Sequence, residues 1–327
     1  MREKILDLLS GKKINEQPAF SGLIHITAEG LQSEGLAFHE THTDAYKMAK
    51  AAASTFKLSG LPSAVVPLDM YVEAEALGAE INFRADREFE FPQVKKAGLF
   101  GSAKEITEEA TKVLNRGRIK LVCDAIKLLK EDVGNDVVIG GMIPGPYTLL
   151  LLVVDVRNMF IEMKKEPQVV TDALVQLSSF LVEIGTAYKN AGADFITIHD
   201  MGGSPAFIGP SKYEQFALPA EKLLIEKLPK PCILSVCGNV TSSLHLLAQS
   251  GADAVSLDQT VDLKTARLIL KDTLVFGNLD PVETLHRGDS APVAEAVLRA
   301  KEAGVDAVWP GCDLVIQTPI QYIKAMI

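Results

Sequence analysis

The stretch "NAGADFITIHD", Asn190–Asp200, sets a pattern that returns as "QSGADAVSLDQ" (249–259) and "EAGVDAVWPGC" (302–312). Each time a helix-like segment stops on a glycine, the residue that most readily takes the left-handed conformation ending a helix. An apolar, β-branched run follows with no polar alternation, as expected of a strand covered on both faces in a parallel sheet. Further runs of this kind are "DVVIGGMI" (136–143), "CILSV" (232–236) and "TLVFG" (273–277). Between them lie segments such as "SKYEQFALPAEKLLIEKL" (211–228) and "APVAEAVLRAKEAG" (291–304), with apolar residues at three- and four-residue steps.

Six strands are thus expected after residue 135, and "PAFSGLIHI" (18–26) and "SAVVPLDM" (63–70) supply two more. Eight strand–helix units are the number that closes a (β/α)8 TIM barrel. A doubly wound open sheet would show a glycine-rich phosphate loop after its first strand, and none is present. The expectation is one α/β domain, a (β/α)8 barrel over residues 1–327. The segment between "SAVVPLDM" and "DVVIGGMI" would hold helices and an excursion over the barrel mouth, with "NFRADREFEFPQV" (82–94) as an extended loop or small hairpin.

The 327 residues are 47% hydrophobic and 23% charged, the profile of a globular protein with ample core. A net charge of −9 argues against nucleic acid or an anionic membrane as partner. "MREKILDLLSGKK" is expected as a short amphipathic helix and not a signal peptide, and the apolar run "YTLLLLVV" (147–154) is too short to span a bilayer. A cytoplasmic setting follows as the expectation. The four cysteines form no C-x-x-C pair and are expected to be reduced.

In a parallel barrel the functional groups stand at the carboxyl ends of the strands. Those ends carry Asp69, "GGMIPGP", His199 with Asp200 and Met201, Cys237, Asp258, Asn278 and Asp280, and Cys312. Cys237 and Cys312, each beside a glycine, together with His199 would match a catalytic zinc site of two thiolates, one imidazole and an open position. Taken singly, each cysteine is also an ordinary small buried hydrophobe. His199 is equally open to a ligand role, an acid–base role or a polar core position. Cys123, within a helical pattern, and Cys232, at a strand start, are expected in packing.

Asp69, Asp200 and Asp258 are candidate acids, bases or ligand orienters. Asp280, followed by Pro281, is expected to cap the next turn. Glu73 and Glu75, two apart on a helix, must point to different faces, so one at most faces the mouth. Met142 and Met201 would give that mouth a pliant apolar lining, joined by Glu73 and Asn278 as substrate-binding candidates. His25 is a weaker candidate at the end of the first strand. His39, His42, His245 and His286 are expected on loops or helix surfaces.

Taken together, "VPLDMYVEAEALGAEI", "IPGPYTL", "SVCGNVTSSLHLLAQSGADAVSLDQTVDL", "VFGNLDP" and "WPGCDLVIQTP" resemble the uroporphyrinogen decarboxylase superfamily, and within it the corrinoid-dependent methyltransferase branch, from about Pro67 onward. The resemblance implies the barrel fold and a methyl group moved between a corrinoid and a small molecule such as coenzyme M. The corrinoid would arrive on a separate partner protein, and zinc would be held by His-x-Cys and a distant cysteine in a "PGC" turn. Cys237 and Cys312 match these cysteines; the histidine position holds Ser235. His199 of the neighbouring strand, a carboxylate such as Glu73 or Asp258, or loss of the metal would follow from that exchange. Decarboxylation of a small carboxylated substrate is the alternative activity. True uroporphyrinogen decarboxylases grip their substrate through an arginine-rich N-terminal stretch, whereas "EQPAFSGLIHITAEGLQSEG" (16–35) has no arginine.

Overall fold

Seven parallel strands in chain order form the central sheet of the computed structural model, which describes residues 1–327. They are β1 (Ser63–Val66), β2 (Val138–Pro144), β3 (Phe195–Asp200), β4 (Cys232–Val236), β5 (Ala254–Leu257), β6 (Leu274–Leu279) and β7 (Ala307–Pro310). Each pairs with the next in sequence, and helices pack on the outer face. The strand–helix alternation therefore folds as expected.

The Gly-x-Asp signature has a double use. Gly192 (φ 119°) and Gly304 (φ 90°) end their helices in the left-handed region. The aspartate that follows reaches the neighbouring strand and accepts a hydrogen bond from a backbone N–H at its amino end. Asp194 takes Ile139 N at 2.8 Å, Asp253 takes Cys232 N at 2.7 Å, and Asp306 takes Val275 N at 2.8 Å. Each carboxylate satisfies an N–H at the sheet's edge that would otherwise be unpaired.

The expected eighth strand is not formed as a strand. Within 18–26, only Ala19 bridges to Val308, through Phe20 N–H to Val308 O (3.2 Å) and Val308 N–H to Pro18 O (2.9 Å). The chain then bends at Gly22, where a Cβ would stand 2.4 Å from the Trp309 ring and 2.5 Å from Thr197 Oγ1. On either side of the bend, side chains replace the backbone ladder toward β1: Ser21 N–H donates to Ser63 Oγ at 3.0 Å, and a His25 ring nitrogen meets Ser63 O at 3.0 Å. The result is a curled seven-stranded sheet spanned by an irregular segment. The strand expected over 63–70 also stops early, because Pro67 has no N–H to continue the ladder.

Strand alternation sorts the core into two parts. Inside the curl, Phe195, Phe276 and Trp309 meet Phe20, and Ile5, Leu8 and Leu9 of the helix Arg2–Leu9 pack against them. The Phe20 ring lies edge-on to Trp309 and Phe276, with centroids 5.1 and 5.6 Å apart. The outer faces pack against the helices. One of these, Pro167–Ala191, is long and apolar enough by length and composition to cross a membrane, unlike the run weighed from the sequence, and half of its most apolar window is buried in the fold. The excursion holds a small antiparallel pair, Ile81–Asn82 with Gln93–Val94, and the helices Val72–Leu77 and Ile119–Asp132.

Candidate metal centre

On β3, Ile196 and Ile198 face the helices, so Thr197 and His199 face inward. On β4 the same alternation turns Ser235 inward, and the strand pairs Ser235 directly with His199. Cys237 follows two residues later. A bond from Gly238 N–H to Asp258 Oδ2 (2.8 Å) and one from Ser204 Oγ–H to Cys237 O (2.6 Å) hold its turn. On the other side, Gly311 allows the turn after β7 to lie against the loop following β5: a Cβ there would stand 2.7 Å from Gln259 N. Cys312 is thereby brought to 3.4 Å from Cys237, sulfur to sulfur, with both thiols free.

The donor atoms of His199, Cys237 and Cys312 all lie within 4.8 Å of one another. His199 Nδ1 meets Ser235 Oγ at 3.2 Å, while Nε2 is buried without a hydrogen-bond partner. Nε2 stands 3.7 Å from Oδ2 of Asp313, whose Oδ1 accepts from Ile24 N–H at 2.8 Å.

Protons organise this cluster. The hydrogen bond from Cys237 pulls the Cys312 thiol down against the cost of burial, and His199 adds to the effect. That same hydrogen bond, with burial, pushes Cys237 up. Burial opposes a charge on His199, but Asp313 and Cys312 outweigh it and raise the imidazole to about 8. Burial lifts the Asp313 carboxyl to about 6.

Two thiols and an imidazole around one point suit a dication that displaces their protons. Sulfurs bound at about 2.3 Å to a tetrahedral zinc stand roughly 3.8 Å apart, so the 3.4 Å separation needs little adjustment. The unpartnered, buried Nε2 is the third fitting donor.

The other residues singled out in the sequence lie elsewhere. Asp69 lies beyond the shortened β1 and is fully buried in an ion-pair network. It accepts from Arg118 Nη1 at 2.7 Å, meets His42 Nδ1 at 2.8 Å and caps Tyr71 N–H at 2.9 Å. Against its burial, Arg118 and His42 hold its carboxyl well below the usual range. His42, expected on a surface, is wholly buried, because this carboxylate gives its ring a partner. Arg118 also holds Glu75 at 2.6 Å.

Asp200 follows His199 and so faces the opposite side, into the helix layer. There it accepts from Thr148 Oγ1 (2.5 Å) and Gly203 N–H (2.9 Å), and burial raises its carboxyl. Glu73 is also fully buried, with neither oxygen hydrogen-bonded, and burial pushes it up to about 8. It stands on the helix Val72–Leu77 that follows the shortened β1.

Asp258 is spent on structure near the cluster: besides holding Gly238, it accepts from Thr260 N–H at 2.9 Å. Asn278 Nδ2 donates to Asp258 O (3.0 Å) and Val261 O (2.9 Å) and ties down the same loop. Met142 is fully buried on β2, and Met201 is partly exposed just after β3. His25 bonds to backbone carbonyls only, and Asp280 caps the turn at Val282 and Glu283. A cavity of about 800 Å³ lies between the segment 28–39 and residues 85–89, away from the cysteines. Sequence reasoning missed Asp313, although it directly follows Cys312; Arg118 and His42 carried no local signal.

The uroporphyrinogen decarboxylase (URO-D) family model matches residues 1–327. A methylcobamide:CoM methyltransferase, MtbA of Methanosarcina acetivorans, is 31% identical over all of this chain and 96% of its own length. The methylcobamide:CoM methyltransferase MtaA of Methanosarcina barkeri is 30% identical with the same coverage. A solved methyltransferase from Methanosarcina mazei superimposes with a TM-score of 0.93 at 28% identity, over 99% of this chain and 96% of that one. The chain belongs to the uroporphyrinogen decarboxylase (URO-D) family, in its methyltransferase branch.

Proposed function

We propose that this protein transfers a methyl group from a corrinoid, a methylcobamide carried by a separate partner protein, to a small thiol of the coenzyme M kind. The observation that carries this reading is the convergence of His199, Cys237 and Cys312 at the carboxyl ends of three strands, with Nε2 buried and unpartnered. These residues would hold zinc, which lowers the pKa of a bound thiol and presents it as a thiolate nucleophile.

The chain's own groups prepare that event. Ser235 orients the imidazole, and Asp258 and Ser204 fix the turn bearing Cys237. Asp313 offers a carboxylate beside Nε2, placed to take up a proton as the cluster is loaded. Cobalt–carbon chemistry belongs to the corrinoid; the protein contributes positioning and exclusion of water. Four free cysteines support work in a reducing, cytoplasmic setting. The names of the methyltransferase relatives support both partners.

The test gives purified protein methylcobalamin with coenzyme M, homocysteine or dithiothreitol, and follows loss of the methylcobalamin absorbance. Carbon dioxide release from uroporphyrinogen is measured in parallel. Thiol-dependent demethylation is expected. Carbon dioxide release without any methyl transfer would overturn the reading in favour of a decarboxylase.

A further inference from the structure

We propose that Ser235 is a positioning residue that fixes His199 with Nε2 toward the metal, so that the imidazole ligand enters from β3 while β4 supplies only its anchor. The inference rests on the zinc reading of the site. Residues 199 and 235 are direct register partners on adjacent strands, and both are inward-facing and buried. A serine hydroxyl is too hard and too weakly acidic to serve as a zinc ligand, but it is a good hydrogen-bond acceptor for an imidazole N–H. At 3.2 Å, Ser235 Oγ is placed to accept a proton carried on Nδ1, the tautomer that a metal taking the Nε2 lone pair would select. A ligating histidine is oriented through its other ring nitrogen in this way, and removing such a partner weakens metal binding by about 10–100-fold. Nε2 is the nitrogen that the protein leaves buried without a hydrogen bond, 3.7 Å from the Asp313 carboxylate.

The arrangement places the imidazole one strand away from where the resemblance expects it. The resemblance calls for an imidazole at position 235, two residues before Cys237 on the same strand face. Here position 235 is small, and the imidazole stands on the adjoining strand. The set of two thiols and one imidazole that the resemblance implies is thereby restored, with its imidazole on the adjoining strand.

The experiment measures zinc affinity by chelator competition, and the visible spectrum of the Co²⁺-substituted protein, for wild type, Ser235→Ala, Ser235→Thr, His199→Ala and the double variant His199→Ala/Ser235→His. Thermal melts of the metal-free forms identify any variant that fails to fold. The expected order is a loss of about 10–100-fold for Ser235→Ala, near-wild-type affinity for Ser235→Thr, and a larger loss for His199→Ala. The double variant should recover affinity and the tetrahedral cobalt bands. Unchanged affinity and spectrum in Ser235→Ala, or tight binding retained by His199→Ala, would overturn the positioning role while leaving the zinc site intact. Wild type that binds neither metal would instead overturn the zinc reading itself.

Discussion

Cys312 and Cys237 stand 3.4 Å apart, each sulfur the other's hydrogen-bond partner in a buried space, and with His199 they surround one point. Removing one should therefore remove the centre rather than weaken it. Cys312→Ala is expected to lower zinc from about one ion per chain to near zero after gel filtration, read by elemental analysis. Glu73 gives a prediction of opposite character. Its native pKa of about 8 lies above the ordinary 4.5, so the native state binds this proton more tightly than the unfolded chain does. Stability from this group is complete below pH 4.5 and is lost as pH rises through 8. Glu73→Gln should flatten that decline and gain about 2–4 kcal/mol on wild type between pH 5 and 8.5, measured by chemical unfolding at each pH. At this scale the sequence disclosed the cysteines and His199 because they sit where apolar runs stop. Asp200 lies at the same strand end as His199 yet points into the helix layer, and Glu73 is buried on the helix that follows β1. For Asp200 one step along a strand reverses the side chain; for Glu73 the shortened β1 and the helix after it decide.

The Gly-x-Asp turns tie element to element. Asp253→Ala would leave the Cys232 N–H at the head of β4 unpaired, at a cost of about 1–3 kcal/mol in urea unfolding. Zinc stoichiometry should be unchanged, because the opposite end of β4 is held independently through Gly238 and Asp258. The glycine half of this motif was legible as a helix stop, and the strands after it fell within a residue or two of expectation. The aspartate half was not, since its partner lies on another strand and no local spacing reveals it. The same limit explains the segment 18–26. Its composition fits a strand, but the Trp309 and Phe195 rings fill the space that side chains at Gly22 would need, so the chain bends and pairs through side chains instead.

For the whole molecule, the repeated strand–helix rhythm was sufficient to place the functional groups at one end of a parallel sheet. The closed eight-stranded ladder expected from that rhythm does not form, because the aromatic rings packed inside the curl leave the segment 18–26 irregular and the sheet at seven strands. What the fold achieves is to gather residues 199, 237 and 312 from three strands, with Asp313 beside them. An activated thiol at that point is the centre of the account. It is tested most directly by measuring methyl transfer from methylcobalamin to coenzyme M with the purified protein as isolated, after its metal is removed by chelation, and after zinc alone is restored. Transfer that disappears with the metal and returns with stoichiometric zinc is the predicted result; transfer that proceeds at the same rate in the metal-free protein would contradict it.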